Sequence, residues 1–595
     1  MANLTSVGVQ VTESDLISYV PPQSASIGAY VGHFNWGPAD QLINVNSEKT
    51  LATIFGAPKN NAGSEPKFIP SYLTAASFLQ YGNSLKVARA VNIDARNAAG
   101  VQQSYLSSPG SGPITFGILI KNKEDFDIQS LGIFTTENSP IYARYPGLLG
   151  NSLEVQIYHY DNTTVGAPKY VADLATEAKL NFGTLPGQTY WSQDTNGSGN
   201  DEIHIIVRDS TGFISGTIGA ILESYQGLSL QPGAQTLSGG NNYFADVINA
   251  GSSYLYINAE AEEQIASLPI DGTYDLGDAN FMFEYGTNGG NDSHSIGNVT
   301  ATLGLNFFVD IDNTEINLLF AECFDGDANI NGSNLIAQAL ENIVAERLDL
   351  MAFVSAPINL YTITATGKKD EVLNGRYKSS GTPSSFLVFD STPVYVYNKY
   401  TDKYNWIPAC GHMAGICAYT DAISDPWFSP AGLNRGQLRG VTKLAYNPIQ
   451  IDRDELYTNN INPIVSLPGE GIILYGDKTG QMRPSSFDRI NVRRLFIVIE
   501  KAIRKASRYQ LFELNDEFTQ RAFKNTVDPY LRDIRSRRGI IDYAVVCDST
   551  NNTPAVVDSN RFVADIYVKP THSINFITLN FIATRNTVSF NEISG

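Results

Sequence analysis

One stretch limits what this chain can become more than any other. Residues 484–515 read PSSFDRINVRRLFIVIEKAIRKASRYQLFELN. From Arg493 to Arg508, Leu495, Phe496, Ile499, Ala502, Ile503 and Ala506 recur at helical spacing and share one face. Arg494, Lys501, Lys505 and Arg508 share the opposite face as a basic stripe. Such a helix packs one side on a core and turns the other to water or to an acidic partner. A merely solvated face is the plain alternative, because most charge runs have no partner.

Composition narrows the class. At 595 residues the chain exceeds one core, so about three or four domains are expected. Hydrophobic residues make up 43% and charged residues only 17%, with 31 Tyr and 29 Phe, which places the chain among folded proteins. Asparagine, serine, threonine and glycine fill much of the rest and favour strands joined by turns.

The net charge of −19 is unevenly spread. From Ala431 to the end there are 22 Lys and Arg against 17 Asp and Glu, and before it 19 against 43. The acidic part repels nucleic acid and anionic membrane, so neither is expected as a partner. The basic part suits an acidic protein.

Cys323, Cys410, Cys417 and Cys547 lack zinc-site spacing and read as reduced structural thiols of a cytosolic protein. The N-terminus MANLTSVGVQVTES has neither a basic nor an apolar leader region. No run of about 18 apolar residues is present, so no membrane-spanning helix is expected.

Val7, Val9 and Val11 alternate as in a strand, and Pro21-Pro22 separates them from the body. A strand on such a tether either folds back or joins the sheet edge of another chain. Strands are expected at 85–91, 351–357, 562–568 and 574–583, with helices at 70–81 and 335–347. Two more strands are expected within 382–397. Segment 92–140 reads as a surface excursion and 271–300 as a glycine- and asparagine-rich loop. No repeat of fixed period is found. The fold class is α+β (mixed α/β) and multidomain.

Motifs for chemistry fail on inspection. GIILYGDKT, 471–479, places Asp477 where a phosphate loop needs its Gly-Lys pair. DGDANINGSNLI, 325–336, has isoleucine where a calcium loop needs its sixth-position glycine and its terminal glutamate. The six histidines have no ligand spacing, and no GxSxG elbow is present. No catalytic residue, metal or cofactor is expected.

Motifs of another kind run the length of the chain: SVGVQVTE, GHFNWGPAD, ASFLQYGNSLKVARAV, RYPGLLGNSLEVQI, DPWFSPAGLNRGQLRGV, RDELYTNNINPI, LYGDKTGQMRPSSFDRINVRRL, FELNDEFT and SINFITLNF. In this order they resemble the T4-type contractile tail-sheath family of bacteriophages, almost continuously from Trp406 onward. The resemblance departs at 92–140, where this chain has only a short segment.

The resemblance implies a structural subunit rather than an enzyme. It implies hexameric rings of the chain stacked helically around a tail tube protein, between a baseplate and a tail terminator. It also implies assembly in the host cytoplasm and residence in the virion. The extended state would be metastable, and contraction would drive the tube through the host envelope. A bacterial contractile injection particle, or a capsid or surface-layer protein, is the alternative.

The implied organisation is a linking arm 1–20, an outer or middle domain 21–91 with its return 351–400, and the insertion 92–140. A β-rich middle domain 141–350, an inner tube-facing domain 401–583 and a C-terminal arm 584–595 complete it. Arg493, Arg494, Lys501, Arg504, Lys505 and Arg508 are expected to face the tube. Val7, Val9 and Val11 are expected to pair with a neighbour. Ile574, Phe576, Ile577, Leu579 and Phe581 are the expected strand edge.

Overall fold

Short apolar runs far apart in sequence become neighbours in one parallel sheet. The structure, a computed structural model, describes residues 26–59, 68–102, 118–130, 139–159, 182, 186–195, 200–258, 280–284, 304–322, 330–355, 358 and 384–575. Strands β1 (Gly28–Gly32), β2 (Leu42–Val45) and β3 (Leu85–Arg89) open the chain's larger unit, residues 24–424 and 430–490. After β3 the chain builds a second sheet from seven strands. These are β4 (Ala99–Gln102), β5 (Ile141–Ala143), β6 (Leu153–His159), β7 (Glu202–Asp209), β8 (Ala220–Ser229), β9 (Leu255–Ile257) and β10 (Asn280–Glu284). It then returns to the first sheet as β11 (Leu318–Ala321), β12 (Met351–Val354) and β13 (Leu387–Phe389).

The first sheet has the order β13-β12-β11-β1-β3-β2, parallel except for the edge strand β2. Every residue of β1, β11 and β12 is buried, as a parallel sheet covered on both faces requires. Helix α1 (Glu48–Phe55) precedes α2 (Phe68–Leu79), and α3 (Lys123–Ser130) and α4 (Phe244–Gly251) belong to the second sheet's surroundings. On one face of the first sheet, Ala29, Val31, Leu319 and Val354 pack with Ile336, Leu340 and Ile343 of α5 (Ile330–Arg347). On the other, Tyr30 stacks on Phe320 at 4.9 Å and Phe78 of α2 at 5.4 Å from the same ring. Helix α6 (Cys410–Ile423) packs against α2. A Cβ at Gly411 would collide with the Thr74 carbonyl, so glycine sets how closely these helices approach.

The second sheet is antiparallel throughout, in the order β8-β7-β6-β10-β4-β5-β9. It corrects two expectations. The described residues of segment 92–140 are not all a surface excursion: β4 lies inside the sheet, and Ala98, Ala99 and Ile120 are wholly buried. Asn97 makes the connection, because its amide Nδ2 donates to the carbonyls of Ile120 (3.0 Å) and Ala143 (2.9 Å). Its Oδ1 accepts from the Ile120 N–H at 2.7 Å. Likewise 271–300 is not all loop, since β10 bridges β4 and β6.

The chain then forms β14 (Val394–Asn398), β15 (Lys403–Ile407) and β16 (Val441–Leu444), a three-stranded sheet, and the hairpin β17 (Ile464–Leu467) and β18 (Gly471–Leu474). Helix α7 (Gln450–Thr458) lies between β16 and β17 in sequence.

The smaller unit comprises 1–23, 425–429 and 491–595. Packing thus divides the chain at Ser424/Asp425 and Ile490/Asn491, whereas the sequence reading drew its inner domain from residue 401. Helices α8 (Ile490–Ser507) and α9 (Glu517–Ser536) enclose a core with β19 (Ile540–Val546) and β20 (Asp565–Pro570). Leu495, Ile499, Phe523, Val527, Leu531 and Val545 are its buried centre. The DPWF motif supplies Trp427, whose Nε1 donates to the Arg537 carbonyl at 3.1 Å. A Cβ on Gly539 would sit 3.0 Å from the Trp427 ring, so glycine is required there.

Candidate functional site

Helix α8 forms as its periodicity predicts. Leu495, Ile499, Ala502 and Ala506 are buried, and Phe496 and Ile503 are half-buried. The basic stripe is shorter than expected. Arg493 and Arg494 are only 7% and 3% exposed, which removes both from the set that can meet a partner. Burial lowers the Arg493 guanidinium to about 10, with Glu500 opposing. Lys501 is half-buried, and Arg504, Lys505 and Arg508 are exposed. Arg508 lies beyond the helix, at the start of a 3-10 turn, Arg508–Gln510.

A feature of this surface was missed by sequence reading. Between α8 and α9, Tyr509, Leu511, Phe512 and Leu514 are exposed, as is Phe518 in the first turn of α9. Helical periodicity marks which residues face a core, and this loop has no periodicity to read.

The C-terminal unit's sheet has only two strands. β19 and β20 pair antiparallel from Ile540↔Pro570 to Val546↔Asp565, and among the described residues neither outer edge has a partner strand. Ile574 lies beyond β20, exposed and outside any strand. Phe576, Ile577, Leu579, Phe581, Val7, Val9 and Val11 lie outside the described residues.

The larger unit places polar groups at the C-terminal ends of its parallel strands, a position where open α/β sheets often bind ligands. Protein groups fill it here. Glu322, after β11, accepts from Tyr30 Oη at 2.7 Å and from Ser71 Oγ. Asp390, after β13, accepts from Ser355 Oγ, which itself accepts the Cys410 N–H at 2.8 Å. Burial pushes Glu322 up to about 7 and Asp390 up to about 8, against these hydrogen bonds. Burial also holds the His412 imidazole down at about 3.

The GDKT loop is bound into the fold. Asp477 is buried and pairs with Arg489 at 3.0 Å. Lys478 Nζ donates to the Tyr457 carbonyl at 2.9 Å, and Thr479 Oγ1 to the Phe487 carbonyl at 2.8 Å. Among the described residues, no three His, Cys, Asp or Glu side chains are grouped to hold a metal ion.

The larger unit hydrogen-bonds Glu322, Asp390 and its GDKT loop to its own groups, and the smaller unit presents, among the described residues, unpaired strand edges and an exposed basic and apolar surface, features that suit a protein of the assembly-forming class. Comparison with known proteins gives the family. Residues 296–480 match the phage tail sheath protein central domain, and residues 483–584 the phage tail sheath C-terminal domain. The chain is 31% identical to the tail sheath protein of Vibrio phage KVP40, with all of both chains covered. It is 30% identical to that of Enterobacteria phage T4, covering 100% of this chain and 99% of the other. The fold is shared with sheath tail proteins from Desulfitobacterium hafniense (TM-score 0.51, 9% identity, 95% of this chain and 100% of that one) and Listeria innocua (0.50, 10%, 92% and 96%). The chain belongs to the phage tail sheath family. It is a structural subunit of a contractile tail sheath, a component of the virion.

Proposed function

We propose that the chain polymerises as stacked hexameric rings around the tail tube and holds a metastable extended state. A baseplate signal releases it, and a tail terminator closes its far end. Contraction proceeds by rigid-body rearrangement of subunits whose internal packing is kept, driving the tube through the host envelope. No catalysis or cofactor is involved, and assembly takes place in the host cytoplasm. Lys501, Arg504 and Lys505 meet an acidic tube surface through contacts worth about 0–1 kcal/mol each, multiplied around a ring.

The observation that supports this reading is the two-stranded β19–β20 sheet, neither of whose outer edges has a partner strand among the described residues. A strand from a neighbour, the segment with Val7, Val9 and Val11, adds to such an edge by main-chain hydrogen bonds and stays attached while domains rotate. The C-terminal arm, 584–595, reaches a second neighbour. Deleting residues 1–20 is expected to give a soluble, folded monomer that does not polymerise. Long contractile sheaths from that truncated chain would defeat the reading.

A further inference from the structure

The larger unit carries a cleft between the surroundings of its two large sheets. Helix α1 and the turn after β14 line one side, and the loop after β7 and the segment after α4 line the other. Its volume is about 920 Å³, within the range of sites that hold small molecules, and such sites favour junctions of this kind. Trp36, nearly enclosed, lies at its base and packs edge-on against Tyr145 at 5.3 Å. Tyr254, Phe213 and Tyr400 add half-buried rings to the lining. Trp36 and Tyr145 belong to GHFNWGPAD and RYPGLLGNSLEVQI, so two motifs far apart in sequence meet here.

The charge of the cleft opposes that of the unit around it. The larger unit has 26 Lys and Arg against 46 Asp and Glu. Yet the charged side chains lining the cleft, among the described residues, are Lys49, Arg144 and Lys399, with no carboxylate. Lys59 stands beside them, its Nζ donating to the Ile214 carbonyl at 3.3 Å. The carboxylates bonded to lining residues are already engaged. Glu48 pairs with Lys399 at 2.9 Å. Glu223 accepts from Ser252 Oγ at 2.6 Å and from the Ser253 N–H at 2.7 Å. Buried Asp209 accepts from the Ile214 and Ser215 N–H groups at 3.0 and 2.6 Å. Arg144 touches neutral groups, the Ser252 carbonyl and the Tyr256 ring, the latter at 4.6 Å. Among the described residues neither Arg144 nor exposed Lys49 has a carboxylate partner.

We propose that this cleft binds a small aromatic anion, a planar ring system that carries a sulfonate, phosphate or carboxylate. The ring packs on the aromatic lining of Trp36, Tyr254 and Phe213. The anionic group takes Lys49 and Arg144, whose charges then gain the partner they lack. Bound there, the ligand touches both sides of the cleft and ties the seven-stranded sheet to α1, which stabilises the unit by mass action. The site rests on the folded larger unit alone and stands whether or not the chain polymerises as proposed above.

The probe is anilinonaphthalene sulfonate, and its neutral counterpart is phenylnaphthylamine, the same rings without the charged group. Each is titrated into the full chain and followed by fluorescence. The exposed loop 509–518 also attracts such dyes, so Phe512→Ser with Leu514→Ser is the background for every measurement. The expected result is one saturable site per chain for the sulfonate, with the neutral dye bound at least about tenfold more weakly. Lys49→Glu should weaken the sulfonate at least about tenfold with the melting temperature unchanged. Ala52→Trp, which fills the cleft from α1, should abolish binding. Thr53→Trp, on an exposed side chain of the same lining, takes its place if that variant does not fold. Equal affinity for the two dyes would overturn the site, as would sulfonate binding unchanged by Lys49→Glu or by the introduced tryptophan.

Discussion

The core of the larger unit and the outer face of α8 in the smaller unit treat charge in opposite ways. The larger unit buries arginines and surrounds them with acceptors. Arg89, wholly enclosed, donates to the carbonyls of Phe34 (3.1 Å), Gly37 (2.5 Å) and Pro146 (2.6 Å). Arg347 pairs with Asp349 at 2.8 Å and reaches the Phe308, Asp310 and Thr314 carbonyls. The smaller unit buries Arg493 and Arg494 at the start of α8 but leaves Arg504, Lys505 and Arg508 in solvent beside an exposed apolar loop. A buried, hydrogen-bonded guanidinium fixes the backbone around it, since losing it strands several carbonyls. An exposed one costs the monomer little to change. The contrast separates a body that keeps its shape from a surface that makes and breaks contacts.

The largest expected effect comes from emptying a buried guanidinium site. Arg89→Met should lower the stability of the larger unit by about 3–5 kcal/mol in urea unfolding, because three carbonyls lose their donor. Arg504→Ala should stay within about 0.5 kcal/mol. Similar values for the two variants would erase the contrast.

The next effect is pH-dependent. Glu322 and Asp390 keep their protons in the folded chain to about 7 and about 8, whereas unfolded carboxyls ionise near 4. The unfolded state therefore releases protons first, and these groups lower stability as pH rises from about 4 to about 8. His412 acts oppositely: its folded value of about 3 lies below the usual value, so its contribution is lost as pH falls through that range. Glu322→Gln should flatten the decline between pH 5 and pH 8 by up to about 3 kcal/mol. An unchanged slope, read from urea midpoints at the two pH values, would show that Glu322 is ionised.

The smallest effect on the monomer is expected at the basic helix. Lys501→Glu with Lys505→Glu should leave the melting temperature within a degree or two, since surface changes cost little. The same pair should abolish co-sedimentation with tubes. Tube binding at native strength would remove these lysines from the contact.

Periodicity made much of this legible. The buried strand at 318–321 was not read, whereas the apolar face of α8 and the buried run at 351–354 follow from residue spacing alone. Arg493 and Arg494 did not, because position on a helical wheel says nothing of what covers the helix's first turn. Strand β4 hid in a polar segment, since its place rests on the side chain of Asn97 rather than on an apolar pattern. The polar groups at the strand ends come from Tyr30, Glu322, Ser355 and Asp390, too distant in sequence to be read together.

The route of the chain through the first sheet carries a further consequence. The chain leaves that sheet after β3 and comes back at β11, and both strands pair with β1. Adjacent strands lie about 4.8 Å apart, so the departure and return lanes are only about 10 Å from each other. Because β3 and β11 both run parallel to β1, the chain leaves at one end of the sheet and re-enters at the other, so what hangs between them spans the sheet from end to end. Exchanging or lengthening the seven-stranded module should leave the register of the parallel sheet untouched provided that the replacement covers the same end-to-end span. In evolution this is a socket that accepts modules of different size, and in the laboratory it is a place to display a foreign domain on every subunit of a sheath.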